Sequence, residues 1–137
     1  MKVEEKAFGS IDGKTVKSCT VSTSGGLKVT TIEYGCIIQE IIVPDKDGIL
    51  GNIVLGYDML EEYQNDEAFF GAVIGRVGGR IKNAEFILAD HTYNLPENDG
   101  NNHIHGGPNG FHRTHWDSSI EIGDGEARIT FSYVSAD

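Results

Sequence analysis

Between Gly75 and Asp117 the chain gathers all five of its histidines, its only tryptophan and three arginines. Imidazoles this crowded could ligate a metal, move protons, or merely populate loops. On a strand, "HIH" would aim His103 and His105 at one face and Ile104 at the other, because side chains alternate. Such a pair could take a divalent metal if a carboxylate joined it. The "GGPNGFH" that follows offers none before Asp117. His112 and His115 lie in a loop without a cysteine or carboxylate at ligand spacing, so no metal site is expected. His91, His112 and His115 read as polar loop residues or hydrogen-bonded fillers. His105 differs because Gly106, Gly107 and Pro108 leave little bulk beside its ring. Asn101 and Asn102 precede it, and amides suit hydroxyl groups. Imidazole is also the side chain that trades protons near neutral pH.

Upstream, "GRVGGRI" matches neither glycine-rich phosphate-loop pattern. It follows "FFGAVI", so its glycines read as places where two backbones approach closely. For Arg76 and Arg80 two readings stay open: surface ion pairs in an acidic protein, or donors to sugar or carboxylate oxygens in a cleft.

The elements that must hold these residues read as strands. "KTVKSCTVST", "LKVTTIEYG", "CIIQEIIVP" and "NIVLGY" are short runs broken by "SGG", by Pro44 and by "DKDG". "AEFILAD" with "HTYNLPE" predicts a hairpin turning near Ala89–His91. "SSIEIG" with "EARITFSYV" predicts another, turning at Gly123–Gly125. Only "DMLEEYQNDEAF" suggests a helix, with Asp58 as N-cap and Glu61 three residues on. Eighteen glycines and many short strands predict an all-β antiparallel sandwich, with residues 1–137 as a single domain.

Composition narrows the partners. A formal charge of −10 argues against nucleic acid and against an anionic membrane, whose binding rests on Lys and Arg. A neutral ligand is compatible. Cys19 and Cys36 form no disulfide framework, and Cys36, in an apolar run, is expected to be a buried thiol. The N-terminus lacks an apolar signal segment, and a cytoplasmic location is expected.

The segments "FFGAVIGRVGGRI" and "F.L....Y.LPENDG.N.IHGGPNGF", followed by Trp116, resemble the aldose 1-epimerase (galactose mutarotase) family. That family carries a G-R-x-x-N-R-I segment and then N-x-L-H-G-G-x-x-G-F. "YGCIIQEIIVPDKDG" and "NIVLGYDMLEEY" also resemble its N-terminal strands. The resemblance runs from Phe8 to about Tyr133 and implies the N-terminal part of a large β-sandwich. It implies interconversion of the α and β anomers of hexoses such as galactose and glucose, without a cofactor or metal. It makes Arg80, Asn102 and His105 substrate-binding residues, with His105 also catalytic. Gly79 stands where the family has asparagine. The family's second histidine, its general acid, and its glutamate base fall in a later portion, so this chain by itself is expected to be poorly active. Glu121 and Glu126 read as hairpin surface. The other readings are a non-catalytic carbohydrate-binding module and a hexose-6-phosphate epimerase using Arg76, Arg80 and Arg113. A sandwich cut through its middle would expose strand edges, which invites self-association.

Overall fold

The structure, a computed structural model, describes residues 1–136. Five strands form one antiparallel sheet in chain order: β1 (Lys2–Ile11), β2 (Lys14–Ser22), β3 (Lys28–Ile32), β4 (Ile37–Pro44) and β5 (Leu50–Asn52). A short helix, α1 (Leu60–Gln64), packs on this sheet. Three two-stranded ribbons follow. β6 (Arg80–Ile81) pairs with β9 (His103–Ile104), β7 (Glu85–Leu88) with β8 (His91–Asn94), and β10 (Asp117–Gly123) with β11 (Glu126–Ser132). Every strand pairing is antiparallel, in keeping with the all-β expectation. No helix among the described residues is long and apolar enough to cross a membrane.

The core lies between sheet and helix. Val16, Ile32, Tyr34, Ile37, Leu60 and Tyr63 form one buried cluster. Leu60 and Tyr63 are three apart, so they share a helix face. A helix this short is not stable alone, and packing holds it. Leu60 sits so close to β1 that a Cβ on Gly9 would lie 2.7 Å from its Cδ2. The ladder shifts register at the same place, between Ala7 and Gly9.

Both predicted hairpins are present. Their turns, Ala89–Asp90 and Asp124–Gly125, hold positive φ at both central residues, the geometry that matches strand twist. Three expectations need correction. The helix cap lies one residue later than Asp58: the Glu62 carboxylate accepts the Met59 N–H at 3.0 Å. The strand expected at "NIVLGY" ends at Asn52. There the Asn52 Oδ1 takes the N–H groups of Ile41 and Val54, replacing ladder bonds with side-chain ones. Cys36 is only half-buried, although burial still pushes its thiol up to about 11; Cys19 is the buried one.

Candidate functional site

The pairing of β6 with β9 sets Arg80 opposite Ile104 and so carries "GRVGGRI" to "IHGG". Asn98 clamps the join. Its Oδ1 accepts the Ile104 N–H at 2.8 Å and its Nδ2 donates to the Ile104 carbonyl at 3.0 Å. Beyond Ile104 the strand stops, because His105 turns into left-handed backbone at φ 54°. Alternation ends there, so His103 and His105 do not form the one-faced pair expected of a longer strand. His103 is buried and its Nδ1 donates to the Pro96 carbonyl at 2.9 Å. His105 instead lines an open cavity of about 480 Å³. Gly106, at φ 88°, follows it so closely that a Cβ would collide with the Gly75 carbonyl. Close backbone approach is thus the use of glycine at this crossing.

Backbone amides orient the His105 ring. Its main-chain N–H donates to the Gly79 carbonyl at 3.1 Å, and its Nδ1 accepts the Gly79 N–H at 3.1 Å. An amide N–H can only donate, so Nδ1 carries no proton and the neutral ring is protonated at Nε2. The cavity therefore meets a hydrogen-bond donor. Gly79 adopts φ 81° with open space around a would-be Cβ. Asparagine tolerates that conformation better than most residues, so the glycine here preserves the turn while removing an amide.

Arg80 lines the same cavity, and its Nε donates to Asp99 Oδ2 at 2.6 Å. The ion-pair reading of this arginine is met, and its place on the cavity wall leaves its other guanidinium nitrogens within the cleft. Asn102 is not a cavity wall. Its Oδ1 accepts the Asn83 N–H at 3.2 Å, and its backbone exchanges hydrogen bonds with Asp99. It shapes the loop that delivers Asp99 to Arg80. Arg76 lies outside the cavity, in a second one of about 360 Å³ beside Phe111 and Tyr133, and donates to Ser135 Oγ.

Two wall residues carried no functional signal in the sequence. Phe69 packs edge-on against His105, with ring centroids 5.1 Å apart, and against His112 at 4.5 Å. Its backbone is left-handed at φ 59°. Asp66 pins that segment: Oδ1 accepts from the Ala68 N–H at 2.8 Å and the Tyr57 hydroxyl at 3.0 Å, and Oδ2 from the Phe70 N–H at 3.2 Å. His112, expected as a loop residue or hydrogen-bonded filler, is 7% exposed, with a sealed Nδ1 that has no hydrogen-bond partner. Burial first, then Arg113 and His105, pushes its pKa down to about 4, so it is neutral at physiological pH. His91 is exposed beside Tyr93, whereas His115 sets Nε2 3.6 Å from the buried Glu33 carboxylate. Neither lines the cavity. Glu121 and Glu126 pair with Arg128 on the outer hairpin, matching their reading as surface.

A sequence profile described as aldose 1-epimerase matches residues 17–137. The chain belongs to the aldose 1-epimerase family. The aldose 1-epimerase of Streptococcus thermophilus is 33% identical over 131 residues, covering 96% of this chain and 38% of that protein. The galactose mutarotase of Bos taurus is 40% identical over 114 residues, covering 83% and 32% respectively. The crystal structure of galactose 1-epimerase from Lactobacillus acidophilus superposes with a TM-score of 0.83 at 28% identity. It covers 99% of this chain and 39% of its own. The chain thus spans between about a third and two fifths of the length of these aldose 1-epimerase relatives.

Proposed function

We propose that the protein is an aldose 1-epimerase that interconverts the α and β anomers of hexoses such as galactose and glucose. The observation that carries this reading is the His105 ring, its Nδ1 held by the Gly79 N–H, in one cavity with Arg80. Anomer exchange removes the proton of the anomeric hydroxyl and delivers one to the ring oxygen. The bond between anomeric carbon and ring oxygen breaks to give the open aldehyde. Rotation about the adjacent carbon–carbon bond and reclosure on the other face give the other anomer. Nothing is oxidised, so no redox cofactor is called for, and neither is a metal.

His105 supplies a hydrogen bond from Nε2–H to a sugar oxygen near the ring. Arg80 has guanidinium N–H groups beyond the Nε spent on Asp99, and these hold further oxygens. Asn102 acts on the sugar indirectly, through the loop it shapes. The resemblance to the family assigns the principal acid and base to a portion outside the matched segments. Each positioned proton-transfer group contributes about 10²–10⁴-fold. The setting in which we place the reaction is the cytoplasm.

Polarimetry of freshly dissolved α-D-galactose or α-D-glucose, with the complete gene product, tests the proposal. Accelerated decay of rotation is expected, and His105→Asn in that protein should slow it about 10²–10⁴-fold. Decay no faster than in buffer would overturn the activity. A hexose 6-phosphate is the weaker substrate: Arg80 and Arg113 line the cavity, but so do Asp66, Glu67 and Asp99. Those carboxylates repel a phosphate dianion and leave a neutral sugar untouched.

A further inference from the structure

We infer that His112 is a second sugar-contacting imidazole of this cleft, donating from Nε2–H to a hydroxyl of a neutral hexose. The inference rests on the sugar-site reading above and adds a residue that the motifs do not mark. His112 lines the cavity with His105, and Phe69 touches both rings. Its Nδ1 is sealed from solvent and has no hydrogen-bond partner. Placing the proton there would bury an orphaned N–H, the rarer and costlier kind of unsatisfied group. The proton therefore sits on Nε2, the nitrogen left to face the cavity.

Two other histidines serve for comparison: His115 shares the sealed, unpartnered Nδ1, but it lies outside the cavity and sets Nε2 beside the Glu33 carboxylate. His103 is as buried as His112 and satisfies Nδ1 on the Pro96 carbonyl. His112 makes no such bond, and what holds it is packing against Phe69 and the crowding of Gly110, where a Cβ would lie 2.9 Å from Nδ1. The depressed pKa keeps the ring uncharged, so it neither needs a counter-ion nor competes with Arg80 for Asp99. A neutral donor beside Arg113 suits a polyhydroxyl ligand.

Histidine-selective ¹⁵N NMR of the wild-type protein titrated with D-galactose tests this directly. The expected result is an unprotonated Nδ1 and protonated Nε2 at His112, with saturable shifts at both His112 and His105. His112→Phe, which keeps a ring against Phe69 but loses the N–H, should weaken galactose binding about three- to tenfold. His112→Gln, which restores a donor, should recover part of that loss. Shifts at His105 with a silent His112 would overturn the inference and leave the sugar reading standing. A protonated Nδ1 at His112, or unchanged affinity in His112→Phe, would overturn it equally. If neither imidazole responds to galactose, the sugar reading falls with it.

Discussion

The five-stranded sheet and the cluster of loops around His105 are held together by different means. In the sheet, apolar side chains do the holding: Val16, Ile32 and Leu60 are sealed between strands and helix. Around His105, the side chains of Asn98 and Asp66 accept backbone N–H groups and Gly79 bonds the His105 main chain and ring, where the only ladder is the two-residue pairing of β6 with β9. The contrast teaches that one region supplies stability and the other spends it on placing side chains. Phe69 and His105, neither of them glycine, hold positive φ in the second region, but so do Asp12 and Cys36 in the turns of the sheet, so the two regions differ in what holds them and not in backbone conformation.

The largest expected effect that would break this comparison is in the sheet. Leu60→Ala empties the contact over Gly9 and should cost about 2–5 kcal/mol, measured as a lowered urea midpoint. A cost under about 1 kcal/mol would mean that packing is not what holds the sheet together.

Acid should act on the site instead. His112 takes up a proton near pH 6.5 when unfolded but only near 4 when folded. The unfolded chain therefore binds more protons between those values, and stability falls as pH drops from about 6.5 to 4, then levels off. The loss reaches about 3 kcal/mol at most, from a 2.5-unit depression at 1.36 kcal/mol each. Urea unfolding followed by Trp116 fluorescence at pH 7.5 and 4.5 should show it. His112→Phe should flatten the difference, and an equal slope in that variant would assign the acid sensitivity elsewhere. His115, its pKa also lowered by burial, adds in the same direction.

The smallest effect sharpens the boundary between the regions. Asn98→Ala removes two hydrogen bonds to Ile104 and should cost about 1–2 kcal/mol. Hydrogen exchange at Ile104 and His105 should quicken while that of β2 and β3 stays unchanged. Uniform quickening would merge the two regions into one cooperative unit.

The ribbons and most of the sheet's strands were legible because their signals are local. Alternation in "EARITFSYV" and the turns at Ala89 and Gly123 lead to the observed hairpins. β1 escaped because "KVEEKAFGSI" carries charge where alternation is sought, which is how an edge strand discourages pairing. The site was legible only where a motif marked it. Arg80 and His105 stand in matched segments and meet in one cavity. Phe69 and His112 depend on where the loops at Asp66 and Gly110 carry them, and no period encodes that. "NDEAFF" did hold a clue, since an aspartate two residues before an amide is a turn former. The break at His105, which spoiled the expected alternation of "HIH", follows from the glycines after it and from a partner strand only two residues long.

The bond from Gly79 to His105 has one more consequence. The tether that aims this imidazole is a main-chain amide, which every amino acid but proline possesses. Position 79 can therefore vary among the residues that accept its left-handed backbone, glycine and asparagine foremost, without setting the ring adrift. The ring's aim is insulated from the side chain of the neighbour that secures it, but not from that neighbour's backbone conformation.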